Sequence, residues 1–231
     1  MIIGALGDIH GAFDAVQSIM NRHPDVPLWV CVGDVASNDG EYFTPSAPLY
    51  WIKGNNEDFD IIAASIAGRA PAPTLHYLPN GGPYQVGPWR VAALGGTFAP
   101  SWFNTPAASL PPSRGRKSSA TSLKLGKSRD DKRRHFVRDE VMVCKGLTGI
   151  DLLLTHEAPR PFYPAGRRMD AGKTVLNDVL AAMKPRLHLF GHHHEFTDSV
   201  RQQVRSIGLD LVTKSYLLIN PETFKTERVD T

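Results

Sequence analysis

The feature that most constrains this chain is an alternation of short apolar runs with helix-periodic segments, in which several runs stop at a polar cluster. Residues 2–6 read as a strand, 13–21 as a helix with Phe13, Val16, Ile19 and Met20 on one face, and 28–32 as the next strand. Strand 49–52 and helix 59–67 repeat the pattern. Runs at 75–78, 84–86 and 89–94 then read as strands in meander-like pairs, the last two joined by a turn at Gly87 and Pro88. Beyond them the pattern predicts a helix over 130–144, a strand at 152–154, a helix at 174–183, a strand at 187–190 and two or three β segments up to Asn220. Strands alternating with helices make βαβ units, so the expected fold class is α/β.

A length of 231 residues fits a single domain over 1–231, and 42% hydrophobic with 21% charged residues is the balance of a soluble globular protein. No apolar run approaches the roughly 18 residues a membrane-spanning helix needs, and the N-terminus enters a strand without a basic leader. A cytoplasmic location and no membrane association are therefore expected. Cys31 and Cys144 are isolated and form no CxxC pair, which argues against a disulfide framework and against a thiolate zinc site.

One stretch departs from this regularity. Residues at about 97–129 are rich in Ser, Pro, Gly and basic side chains and are too long for an ordinary connection, so a mobile basic insertion is expected there. Residues 113–145 hold eleven Lys and Arg against four acids, a net +7, whereas the remainder holds fifteen against nineteen, a net −4. Such a segment fits a polyanionic partner and equally a solvated charged face. Trp102 and Phe103 stand just ahead of Arg114, Arg116 and Lys117, an arrangement able to stack bases while neutralising phosphates. A hydrophobic anchor for the segment explains the two aromatics as well.

The polar clusters carry the chemistry. They are Gly7-Asp8-Ile9-His10-Gly11, Gly33-Asp34-Val35, Gly54-Asn55-Asn56-Glu57, Thr155-His156-Glu157 and Gly191-His192-His193-His194. Ligand sites in α/β sheets form at the carboxyl ends of strands, so these five tips can converge. Together they offer carboxylate, amide oxygen and imidazole without thiolate, a set suited to manganese, iron, zinc or nickel. His23, His76, His135 and His188 match no motif and are expected to be locally satisfied. His193 is expected to face solvent or substrate.

In the order D-x-H-G, G-D, G-N-x-E, a lone His after an apolar strand, and G-H-x-H, the clusters resemble the calcineurin-like metallophosphoesterases over nearly the whole chain. The resemblance implies a four-layer α/β/β/α sandwich with a dinuclear metal site at the strand tips. It implies that Asp8, His10 and His194 hold one divalent ion and Asn55, His156 and His192 the other, with Asp34 bridging them. Two ions, manganese foremost, would deliver a bridging hydroxide to phosphorus. The family usually has a histidine where this chain has Asn56, and an amide cannot act as a general acid. That departure points to phosphodiesters rather than monoesters, with Glu57 or His193 the nearest alternative proton source.

Within the family, the run from Val91 to His194 is similar in layout to RNA lariat debranching enzymes: Leu94-Gly95-Gly96 before the basic insertion, then Thr155-His156-Glu157-Ala158-Pro159, then Met183-Lys184-Pro185. Single-stranded or branched RNA is the partner this implies, with no obligate protein partner evident. The alternatives are a small cyclic-nucleotide or dinucleotide phosphodiesterase and, from another class, a non-catalytic interaction scaffold of the same fold.

Overall fold

A computed structural model describes residues 1–112 and 130–231. The strands are β1 (Ile3–Leu6), β2 (Trp29–Cys31), β3 (Leu49–Trp51), β4 (Leu75–Tyr77), β5 (Gly81–Val86), β6 (Trp89–Leu94), β7 (Leu152–Thr155), β8 (Leu187–Phe190), β9 (Thr197–Arg201), β10 (Val204–Gly208), β11 (Ser215–Ile219) and β12 (Thr226–Asp230). The helices are α1 (Phe13–Arg22), α2 (Phe59–Ile66), α3 (Arg138–Gly146) and α4 (Thr174–Met183). One sheet runs β12-β11-β1-β2-β3-β4 and the other β5-β6-β7-β8-β10-β9. Strands β1 to β4 are mutually parallel, as are β6, β7, β8 and β10, while β11, β12, β5 and β9 close the edges antiparallel.

Side-chain alternation along each strand generates the layers. Ile3, Ala5 and Val30 on the first sheet face Val91, Ala93, Leu152, Leu154, Leu187 and Leu189 on the second, forming one core between the sheets. The intervening Leu6, Trp29, Cys31, Leu49 and Trp51 turn outward, where Val16, Ile19 and Met20 of α1 and Phe59 and Ile62 of α2 cover them. On the far side Ala92, Leu94 and Leu153 meet Val141 and Cys144 of α3 and Leu176, Val179, Leu180 and Met183 of α4. The result is the α/β/β/α sandwich. Strands buried on both faces explain why they read as unbroken apolar runs.

Three local expectations change. The helix expected over 130–144 begins only at Arg138, preceded by a short 3₁₀ turn at Lys132–Arg134 and an extended piece in which Thr97 bridges His135. The turn forms because Asp131 caps it and folds the Arg133 guanidinium back onto itself at 2.6 Å and onto Asp60 at 2.9 Å. Strand β4 pairs with β3 and not with β5, so only β5 and β6 form a hairpin and the chain crosses between sheets after Tyr77. A final strand, β12, follows Asn220.

The start of the segment expected to be an insertion is built into the body. Phe98 and Phe103 pack on the outer core of the second sheet, and Ala107–Ser109 forms a 3₁₀ turn. Residues 113–129, with Arg114, Arg116 and Lys117, lie outside the described residues.

Candidate metal centre

The five polar clusters converge. β1 ends before Asp8 and His10, β2 before Asp34, β3 before Asn55 to Glu57, β7 before His156 and β8 before His192 to His194. Four of these residues hold left-handed backbone: His10 (φ 47°), Asp34 (51°), His192 (70°) and His194 (54°). Each such conformation costs a non-glycine residue about 1–3 kcal/mol, and its clustering at one spot marks a place where side-chain direction outweighs backbone comfort.

Ligand atoms of Asp8, His10 and His194 lie within 4.8 Å of one another, as do those of Asp8, Asp34 and His156. His194 Nε2 is 3.0 Å from Asp8 Oδ2 and 3.1 Å from His10 Nε2. On the other side His156 Nε2 stands 3.1 Å from Asn55 Oδ1 and 3.2 Å from His192 Nδ1. Asp34 Oδ2 sits between the two groups, 3.5 Å from His10 Nε2 and 3.7 Å from His156 Nε2. Two ring nitrogens this close need a proton or a cation between them. Nitrogens bound to one cation at about 2.0–2.1 Å stand roughly 3 Å apart, so the spacing of these ring nitrogens fits metal ligation.

Neighbours fix the orientation of the ligands. His156 Nδ1 lies 2.9 Å from the Val32 carbonyl; donating there, it leaves Nε2 bare toward Asn55 and Asp34. The His192 N–H donates to both Asp8 oxygens at 3.2 and 3.0 Å, and the Asn56 N–H donates to Asp34 Oδ1 at 2.7 Å. Glycine is required beside each carboxylate: a Cβ on Gly54 would overlap Asp34 Oδ1, and one on Gly191 would overlap Asp8 Oδ1.

Burial opposes ionisation of Asp8, but the hydrogen bond from His194 and the surrounding imidazoles prevail and hold its carboxyl below the ordinary range. The same bond, working against burial, holds His194 above the ordinary imidazole value. His156 is likewise raised, because Asp34 and Asp8 outweigh its burial, while burial and the nearby His156 and His193 push His192 far down. A cation held there would compete with protons for these imidazole nitrogens. Asp8, Asp34 and His156 form the floor, with side chains 1%, 2% and 0% exposed, whereas His10 and His194 form a rim at 29% and 38%.

Glu57 is 4% exposed and lies behind the centre. Its carboxylate accepts from the Val35, Ala36 and Gly54 N–H groups at 3.0, 3.2 and 3.3 Å and from the Tyr42 hydroxyl at 2.8 Å. It ties the Asp34 and Asn55 loops together. Asn56 places its side-chain amide 3.4 Å from His10 Nδ1, on the rim. Phe103 packs edge-on against Phe98 and carries Arg138 over its ring, as an anchor would, and Trp102 is half-buried in the same turn.

The unassigned histidines have local partners. His23 meets the Tyr216 hydroxyl at 2.7 Å, His76 stacks on Tyr50, and His135 meets Thr97 Oγ1 at 3.0 Å. His188 spans Thr155 Oγ1 at 2.8 Å and Ser206 Oγ at 3.1 Å. Two residues of the clusters act as supports, a role the sequence did not show. Thr155 Oγ1 donates to the Glu157 carbonyl at 2.7 Å, shaping the turn around His156, and Glu157 Oε2 accepts the Phe98 N–H at 2.6 Å. His193, expected to face solvent or substrate, is half-buried and stacks on Phe162 with centroids 4.6 Å apart.

Fold and centre together define an α/β sandwich with a carboxylate–imidazole cluster at the carboxyl ends of its strands. Residues 1–196 match the family model of the calcineurin-like phosphoesterases, and the chain belongs to that family, whose members use divalent metal ions. A search of curated proteins returns no match. Among solved structures, TT1561 of Thermus thermophilus superposes with a TM-score of 0.67 at 13% identity over 99% of this chain and 98% of its own. GAP50, the anchor in the inner membrane complex of Plasmodium, gives 0.53 at 10% identity over 100% and 88%. At such identities the likeness is one of fold. Among the described residues no helix is long and apolar enough to cross a membrane.

Proposed function

We propose that this chain is a dinuclear metal-dependent phosphodiesterase acting on RNA or a nucleotide-derived phosphodiester. The observation that carries the reading is Asp34 Oδ2, flanked at 3.5 and 3.7 Å by ring nitrogens of two separate donor groups. Asp8, His10 and His194 would hold one ion, Asn55, His156 and His192 the second, and Asp34 both. Divalent ions held there supply Lewis-acid activation of water and neutralise charge on the phosphoryl oxygens, with manganese the first choice for this donor set. The chain's own part is positional. The Val32 carbonyl fixes the His156 tautomer, Glu57 fixes the spacing of the Asp34 and Asn55 loops, and the buried floor leaves His10, Asn56 and His194 to meet the substrate.

Asn56 supports the diester preference. Its amide holds a hydrogen-bonding position on the rim without supplying a proton, so esters whose leaving groups need little protonation are favoured. The net +7 of residues 113–145 supports a polyanionic substrate, although Arg133 is already spent on Asp131 and Asp60. Metal-loaded protein assayed on bis(p-nitrophenyl) phosphate, p-nitrophenyl phosphate, single-stranded RNA and branched RNA tests the reading. Faster turnover of the diester than of the monoester, abolished in Asp34→Ala, is expected. Preferential monoester hydrolysis, or turnover that survives the substitution, overturns it.

A further inference from the structure

A positively charged surface flanks the centre, formed by the loop between β7 and α4. Its ends are clamped to the site. Lys173 Nζ lies 3.4 Å from Glu157, which follows His156, and Phe162 stacks on His193 between His192 and His194. His193 Nε2 is itself buried without a partner among the described residues.

The loop is held rigid by the acidic and amide groups around it. Asp170 Oδ1 accepts the Phe162 and Gly172 N–H groups at 2.8 and 2.9 Å, and Asp170 Oδ2 takes Arg160 Nε at 2.7 Å. Glu195 accepts the Ala165 N–H at 2.7 Å, Asn177 clasps both the N–H and the carbonyl of Arg160 at 2.7 Å, and Arg201 reaches the Pro161 carbonyl at 3.0 Å. The guanidinium groups of Arg167 and Arg168 are exposed and have no hydrogen-bonding or ionic partner among the described residues. Tyr163 and Met169 of the same loop are 58% and 82% exposed.

We propose that Arg167 and Arg168, presented by this braced loop with the Tyr163 ring, form a subsite for a second phosphate-bearing nucleoside group adjoining the ester to be cleaved. Guanidinium forks match phosphate oxygens in pairs, and an exposed phenol ring offers a stacking face for a base. Specificity then resides in a loop separate from residues 113–129. The inference rests on the phosphodiesterase reading.

The test is the double variant Arg167→Ala/Arg168→Ala, both positions being exposed and outside the loop's bracing. With metal-loaded protein, KM for a 5′-phosphorylated diadenylate should rise about 10-fold with kcat nearly unchanged. Bis(p-nitrophenyl) phosphate should show no change, and the Lys/Lys variant should recover part of the loss. Equal changes on both substrates, or none on either, overturn the subsite. If wild type cleaves neither diester, the phosphodiesterase reading fails separately. Calorimetric binding of the same phosphorylated diadenylate then decides the subsite: weaker binding by the double variant sustains it, and equal binding refutes it.

Discussion

Replacing Asp34 by Asn separates charge from shape at the centre. The amide oxygen can still accept the Asn56 N–H now received by Asp34 Oδ1 at 2.7 Å, so the loop geometry keeps its support. What disappears is the negative charge beside both His10 and His156. Loss of an outer-shell partner typically weakens metal binding 10–100-fold, so loss of a charged ligand shared by two ions should weaken each by at least about 100-fold. At a metal concentration near 100 times the wild-type Kd, each ion stabilises the fold by about 2.7 kcal/mol, and a 100-fold weaker site by only about 0.4 kcal/mol. For a chain of this size, at roughly 2–4 °C per kcal/mol, the metal-induced rise in Tm should shrink by about 5–9 °C per ion. Thermal scans with manganese and with chelator, alongside metal analysis of desalted protein, measure it. The chelated variant should melt close to chelated wild type, because Asp34 itself adds to the repulsion that, after burial, raises Glu57. An Asn variant that keeps two ions and the full metal-dependent shift would refute the bridging role.

Three further outcomes follow from individual contacts. Asn56→His should raise hydrolysis of monoesters with poor leaving groups by about 10²-fold or more, seen as a flatter dependence of rate on leaving-group pKa. Asp58 Oδ1 caps α2 by accepting from the Asp60 and Ile61 N–H groups at 2.9 and 3.2 Å, so Asp58→Ala should cost about 1 kcal/mol in denaturant unfolding without altering metal stoichiometry. Burial pushes His188 down to about 3, so the unfolded chain binds its proton first; stability should fall as pH drops from about 6.5 toward 3, by up to about 1.4 kcal/mol per pH unit. His188→Gln should flatten that slope, and an unchanged slope would place the acid sensitivity elsewhere.

Short apolar runs with helical segments between them were sufficient to place β1, α1, β6, α4 and β8 within a residue or two, because strands buried on both faces leave an apolar run and helices buried on one face leave a 3.6-residue apolar stripe. The cluster residues were legible for a related reason. Polar residues and glycine immediately after such runs have no packing purpose there, and Asp8, Asp34, Asn55, His156 and His192 all occupy that position. The start of α3 was not legible, since it depends on Arg133 reaching Asp60, 73 residues away in sequence. Nor was the partition of strands between two sheets, because β4 and β5 are neighbours in sequence and their hydrophobic patterns do not say which edge each joins. Tertiary structure alone decided that Glu57 faces the Val35, Ala36 and Gly54 N–H groups and not the rim, that Thr155 and Glu157 shape and brace the His156 turn, and that the Arg167 and Arg168 guanidinium groups are left exposed without a partner among the described residues. Those roles depend on which backbone donors and charges distant segments bring within reach, and a one-dimensional pattern of residue types carries hydrophobic period but not that proximity.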